Sequence, residues 1–125
     1  MTTRRFSFQR LDHVQLAIPP GGEEACRAFW GDLLGLSELT KPPTLAGRGG
    51  CWFEASGFQI HLGVEPDFRP ALKAHPGFRI HGIEPLAERL LAAGHPVTWS
   101  EDVPSQNRFH TADPFGNRLE FLELR

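Results

Sequence analysis

The order of segments in residues 10–64 recurs in residues 75–124, and this internal repeat constrains the fold more than any single motif. Each copy reads as a strand, a helix and then three strands. In the first copy, Val14, Leu16 and Ile18 alternate with period 2, as on a half-buried strand, and Pro19-Pro20-Gly21-Gly22 stops the run. Cys26, Phe29, Trp30 and Leu33 then recur at helical spacing behind the acidic Glu23 and Glu24, with Gly35 placed to end the helix after about three turns. Residues 36–40 form a short strand, and Pro42-Pro43 and residues 47–50 mark a loop. Cys51–Ala55 and Phe58–Val64 make a hairpin around Ser56-Gly57. In the second copy, Phe78 and Ile80 belong to a strand. Pro85, Leu86, Leu90 and Ala93 mark a helix closed by Gly94 and Pro96, and strands follow at 97–99, 108–112 and Arg118–Leu124. The last two strands are joined by the turn Asp113-Pro114-Phe115-Gly116-Asn117.

Laying His13-Val14-Gln15-Leu16-Ala17-Ile18 on His75-Pro76-Gly77-Phe78-Arg79-Ile80 matches a histidine and an apolar pair at equal offsets. Laying residues 57–62 on 116–121 matches a glycine turn and an apolar-polar-apolar triplet centred on His61 and Glu120. His13, His61, His75 and Glu120 therefore occupy equivalent places. Side chains alternate along a strand, so each of the four points away from its apolar neighbours. The expected architecture is α+β: two βαβββ modules form a curved mixed sheet around a cup, with helices outside and the four polar residues inside. Three imidazoles and a carboxylate suit a divalent metal ion such as Fe, Mn, Ni, Co or Zn, with room for water or substrate. A lone histidine on a strand is usually a hydrogen-bonded structural side chain. Four at repeat-equivalent places argue for a metal site, and a polar cup that takes a metal-free ligand is the alternative.

The same alternation turns Gln15, Gln59, Arg79, His81 and Arg118 into the cup. Arg79 and Arg118 are candidates to hold a carboxylate or phosphate of a substrate, or to form strand-end salt bridges. Glu54 and His110 lie on strands of unfixed register; they are candidates to support the ligands from behind, and read first as structural or exposed. The glycine-rich loop 41–50 lacks a phosphate-loop ending and reads as a connector or lid. Residues 65–74 read first as a solvated linker, with a cover for the cup or a dimer contact as alternatives, and Phe29 and Trp30 as core. Trp52 and Trp99 read as core or cavity wall.

With 125 residues the chain matches one domain, 1–125. A net charge of −2 with scattered Lys and Arg argues against nucleic acid, and no apolar run is long enough to span a membrane. The basic start, residues 1–5, is followed by no apolar signal region, so the expected location is cytoplasmic. Cys26 and Cys51 make neither a disulfide framework nor a zinc knuckle and read as free, buried thiols.

Asp12-His13-Val14, the helix ending Phe29-Trp30-Gly31-Asp32-Leu33-Leu34-Gly35-Leu36, and the close at residues 113–120 together resemble the vicinal-oxygen-chelate superfamily. That superfamily includes glyoxalase I, fosfomycin-resistance transferases, extradiol dioxygenases and bleomycin-binding proteins. The resemblance covers residues 10–124. It implies paired βαβββ modules, usually in a homodimer, with metal ligands on the first and last strands of each module, here His13, His61, His75 and Glu120. It implies that Glu120 is the catalytic carboxylate of a lyase, transferase or dioxygenase acting on an oxygen-chelating small molecule. A metal-free sequestering protein of the bleomycin-binding type is the other implied reading. Bacterial glyoxalase I has a glutamate in the place of His61, and a bound histidine is a poor mobile base, so isomerisation of a glutathione hemithioacetal fits this chain less well.

Overall fold

The computed structural model describes residues 4–125; Met1 to Thr3, which open the basic N-terminal stretch, lie outside the described residues. The first half contains β1 (His13–Ile18), α1 (Glu23–Cys26), β2 (Ser37–Leu39), a short α2 (Pro43–Ala46), β3 (Cys51–Ala55) and β4 (Phe58–Val64). The second contains β5 (Gly77–Arg79), α3 (Ile83–Ala92), β6 (Thr98–Ser100), β7 (Gln106–Ala112) and β8 (Arg118–Leu124). The strands form two four-stranded mixed sheets, ordered β1-β4-β3-β2 and β5-β8-β7-β6, and neither closes into a barrel. The first and last strands of each half run parallel, and all other neighbours are antiparallel.

The repeat read from the sequence is present in the hydrogen-bond register. Gln15 faces His61 and Gly77 faces Glu120, which puts His13 and His75 at the same offset from their facing pairs. Trp52 faces His61 as His110 faces Glu120. The glycine stops are also where the pattern places them. Gly35, Gly57, Gly94 and Gly116 all have positive φ, which lets the chain reverse where a side chain would strain it.

Leu16, Ile18, Ile60 and Leu62 of the first half and Phe78, Leu119 and Phe121 of the second are buried on the apolar sheet faces. Against them α3 buries Ile83, Ala87 and Leu90, and the first helix buries Cys26, Phe29 and Trp30. Each large side chain buried there contributes about 1.5–3 kcal/mol. Both cysteines are free and buried. The first helix departs from a regular α-helix: from Arg27 to Leu33 it widens into a π-helical stretch, with Leu34 N donating to Phe29 O.

The halves are joined through these apolar faces. The ring of Phe78 lies 5.3 Å from Phe58 and 6.1 Å from Trp30 of the first half, and 5.2 Å from Phe121 of its own. The linker 65–74 is tied down rather than freely solvated: Ala71 N donates to Asn117 Oδ1, and Arg118 N donates to Ala71 O. Among the described residues no helix is long and apolar enough to cross a membrane.

Loop 41–50 carries α2 and is anchored at its end, where Gly50 N donates to Glu23 Oε2 over 2.9 Å. This bond, with the amide of Glu23 itself, holds the Glu23 carboxyl below the usual glutamate range. A depressed carboxyl adds stability above its unfolded pKa and loses it as acid protonates the folded form. Glu23→Gln is expected to be less stable than wild type at neutral pH. Its urea midpoint should also fall less than wild type between about pH 5 and pH 3. Parallel urea titrations across that range test this, and equal slopes would remove the anchor from the account.

Candidate functional site

Within one chain, the four residues expected to share a cup fall into two groups. In the first half the rings of Trp52, His61 and His13 form a column across β3, β4 and β1. Trp52 and His61 are 3.9 Å apart and 4° from parallel; His61 and His13 are 4.1 Å apart and 13° from parallel. His13 Nδ1 lies 2.9 Å from Asp12 Oδ2. An ionised carboxylate only accepts, so Nδ1 is the donor. This bond holds the Asp12 carboxyl below its ordinary range. His61 Nε2 donates to Gln59 Oε1 over 2.8 Å, which leaves Nδ1 with a lone pair. Burial keeps the His61 imidazole below its ordinary pKa, and the neighbouring His13 adds to that.

In the second half His75, His110 and Glu120 converge. Their ligand atoms lie within 4.8 Å of one another, the only such trio of His, Cys, Asp or Glu among the described residues. Glu120 Oε1 is 3.4 Å from His75 Nε2, 3.1 Å from His110 Nε2 and 3.3 Å from Arg108 Nη1. His75 Nδ1 donates to Lys73 O over 2.9 Å, which turns its Nε2 toward the carboxylate. A backbone carbonyl on the far nitrogen is the arrangement that orients a metal-ligating histidine. The His110 imidazole is held below its ordinary pKa first by burial and then by Arg118, which favours the neutral form a ligand needs. Two imidazoles and a carboxylate therefore fit a first-row divalent ion, although a guanidinium already touches the carboxylate.

Neither His13 nor His61 joins the cluster of His75, His110 and Glu120. The expected supporting residues scatter. Gln59 is committed to His61, and Gln15 packs its amide over Gly63. Arg79 is exposed at a groove that also touches His13 and Gly77, and Arg118 lies near His110. His81 is fully exposed, its Nδ1 3.9 Å from Glu123 Oε2, because β5 ends at Arg79 and no longer fixes its direction.

Sequence reasoning gave Arg108 no role and ranked a supporting role for His110 behind a structural or exposed one. The signal was present in the hairpin: β7 and β8 pair symmetrically about Phe115, which puts position 110 opposite 120. Arg108, two residues away, then shares that face.

The fold and polar face define a paired βαβββ protein of the vicinal-oxygen-chelate class. No protein-family model matches the chain, and no curated protein sequence matches it. Among solved structures it is similar to a glyoxalase family protein from Bacillus anthracis, with 44% identity over 98% of this chain and 100% of that one, and a TM-score of 0.93. A glyoxalase/dioxygenase from Nostoc punctiforme is 20% identical over 99% of each chain, with a TM-score of 0.76. An antibiotic binding protein from Streptomyces sp. CB03234 is 17% identical over 97% of this chain and 100% of that one, with a TM-score of 0.70. The chain belongs to the glyoxalase family of the vicinal-oxygen-chelate superfamily.

Proposed function

We propose that this protein is a small metal-dependent enzyme acting on an oxygen-chelating small molecule, and that its working cup is built by two copies of the chain. The observation that carries the first part is the convergence of His75, His110 and Glu120, with His75 oriented through its far nitrogen. The second part follows from the packing. Because one chain joins its halves through their apolar faces, His13 and His61 do not join the trio, and a homodimer offers a route for the polar faces to meet. In such a cup the metal would be held by His75, His110 and Glu120 with His13 and His61 of the second copy. A bound metal ion supplies polarisation of the substrate oxygens. Glu120, the one carboxylate in the trio, is the candidate to carry a proton to or from the substrate. Arg118 and Arg79 are the candidates to orient the molecule at the rim.

The test is elemental analysis of protein purified without added metal or chelator, beside the Glu120→Ala variant. About one first-row metal ion per chain is expected in wild type and little in the variant. No metal in wild type, and none taken up on titration, would favour the second reading, a metal-free binding protein. One specific observation supports that reading: Arg108 already supplies a positive charge to Glu120.

A further inference from the structure

We propose that Arg108 is the resident counter-cation of Glu120, held on the carboxylate oxygen that faces His75 and His110, and that it sets how tightly the second-half site takes a divalent metal. The claim about metal affinity rests on the metal-dependent reading above; the claim about the carboxylate does not.

Glu120 is 8% exposed, and a carboxylate that deep requires compensation. Arg108 Nη1 lies 3.3 Å from its Oε1. The guanidinium is pinned rather than wandering: its Nε and Nη2 each donate to Ser100 Oγ over 3.3 Å, and Asp102 Oδ2 is 3.8 Å from Nη2. Its side chain is only 19% exposed, so solvent screens it weakly. Oε1 is also the atom nearest both imidazoles, so a metal shared by the three side chains would have to coexist with the guanidinium or displace it.

The device belongs to one half only. Gly50 occupies the place in β3's approach that Arg108 occupies in β7, two residues before Trp52 as Arg108 is two before His110. At Gly50 φ is +78°, and a Cβ would fall 2.1 Å from Leu62 O, so no arginine fits there. The first half, whose matching ligand is the neutral-leaning His61, has no carboxylate at that place to compensate. The arginine therefore accompanies the carboxylate and not the repeat as such.

The experiment compares wild type with Arg108→Met, Arg108→Lys and Ser100→Ala. Each is titrated with Co(II), with binding followed by its visible absorption, and each is melted in EDTA and again with Co(II). Removing a fixed positive charge beside the metal should tighten Co(II) binding by roughly tenfold in Arg108→Met, with wild-type-like values in Arg108→Lys. In EDTA Arg108→Met should melt several degrees lower, and Co(II) should restore it. Ser100→Ala, which frees the guanidinium without removing it, should tighten binding by about threefold and serves if Arg108→Met fails to fold. Unchanged affinity in Arg108→Met, or in Ser100→Ala if Arg108→Met does not fold, overturns the metal part of the proposal. A lower melting point without tighter Co(II) binding, in protein that does bind Co(II), also overturns its metal part and leaves a structural ion pair. If no variant and no wild type takes up Co(II), while Arg108→Met alone melts lower in EDTA, the metal-dependent reading fails and the counter-cation stands.

Discussion

Mixing His13→Ala chains with Glu120→Ala chains should restore metal uptake that neither variant has alone. In a cup built from the first half of one chain and the second half of another, each variant by itself has a damaged ligand in every cup. After subunit exchange about half of the dimers are mixed. Each mixed dimer has one cup with both lesions and one with none, so about a quarter of all cups are intact. The measurement is metal content after partial unfolding and refolding of the mixture, with the separate variants treated identically. A cup completed within one chain gives no recovery, because every such cup keeps a lesion. The physical ground is the join through Phe78, Phe58 and Trp30, which packs apolar faces together inside the chain while His13 and His61 stay outside the cluster of His75, His110 and Glu120.

The second large effect concerns the clamp that sets how the halves sit. Asn117 is 2% exposed and ties together three parts of the chain. Its Nδ2 donates to Ala17 O of β1 over 2.9 Å and to Asp113 Oδ2 over 2.8 Å, and its Oδ1 accepts from Ala71 N of the linker over 2.9 Å. Asn117→Ala leaves those three groups short of a partner in a site too tight for easy repair by water. At about 1 kcal/mol each, the expected loss is about 3 kcal/mol. Equilibrium urea unfolding measures it. A loss below about 0.5 kcal/mol would show that solvent replaces the clamp and that the halves are held by apolar contact alone. Because the amide reaches from the closing turn of the second half to β1 of the first, the variant should also weaken whatever the halves build together.

Both predictions depend on how two layers of information combine. The strand alternation was legible because it is local: His61 and Glu120 each sit between apolar neighbours, His13 opens the alternating run Val14, Leu16, Ile18, and a period of 2 assigns their faces with no knowledge of distant residues. The glycine stops were legible for the same reason, since positive φ at Gly35, Gly57, Gly94 and Gly116 is a local demand. Equivalence of the halves could be read because a repeat compares a chain with itself. The widening of the first helix from Arg27 to Leu33 was not legible, since the apolar spacing of Cys26, Phe29, Trp30 and Leu33 suits an α-helix equally well.

By itself, then, the sequence determined two βαβββ halves, their polar and apolar faces, and the ligand-type residues on the polar ones. Tertiary structure alone decided which of those residues meet. Strand register placed His110 and Arg108 on Glu120, and register is a pairing between segments that no single segment encodes. Packing of Phe78 against Phe58 and Trp30 kept His13 and His61 out of that group, because the burial of apolar surface, and not the chemistry of the polar faces, chooses how the halves join.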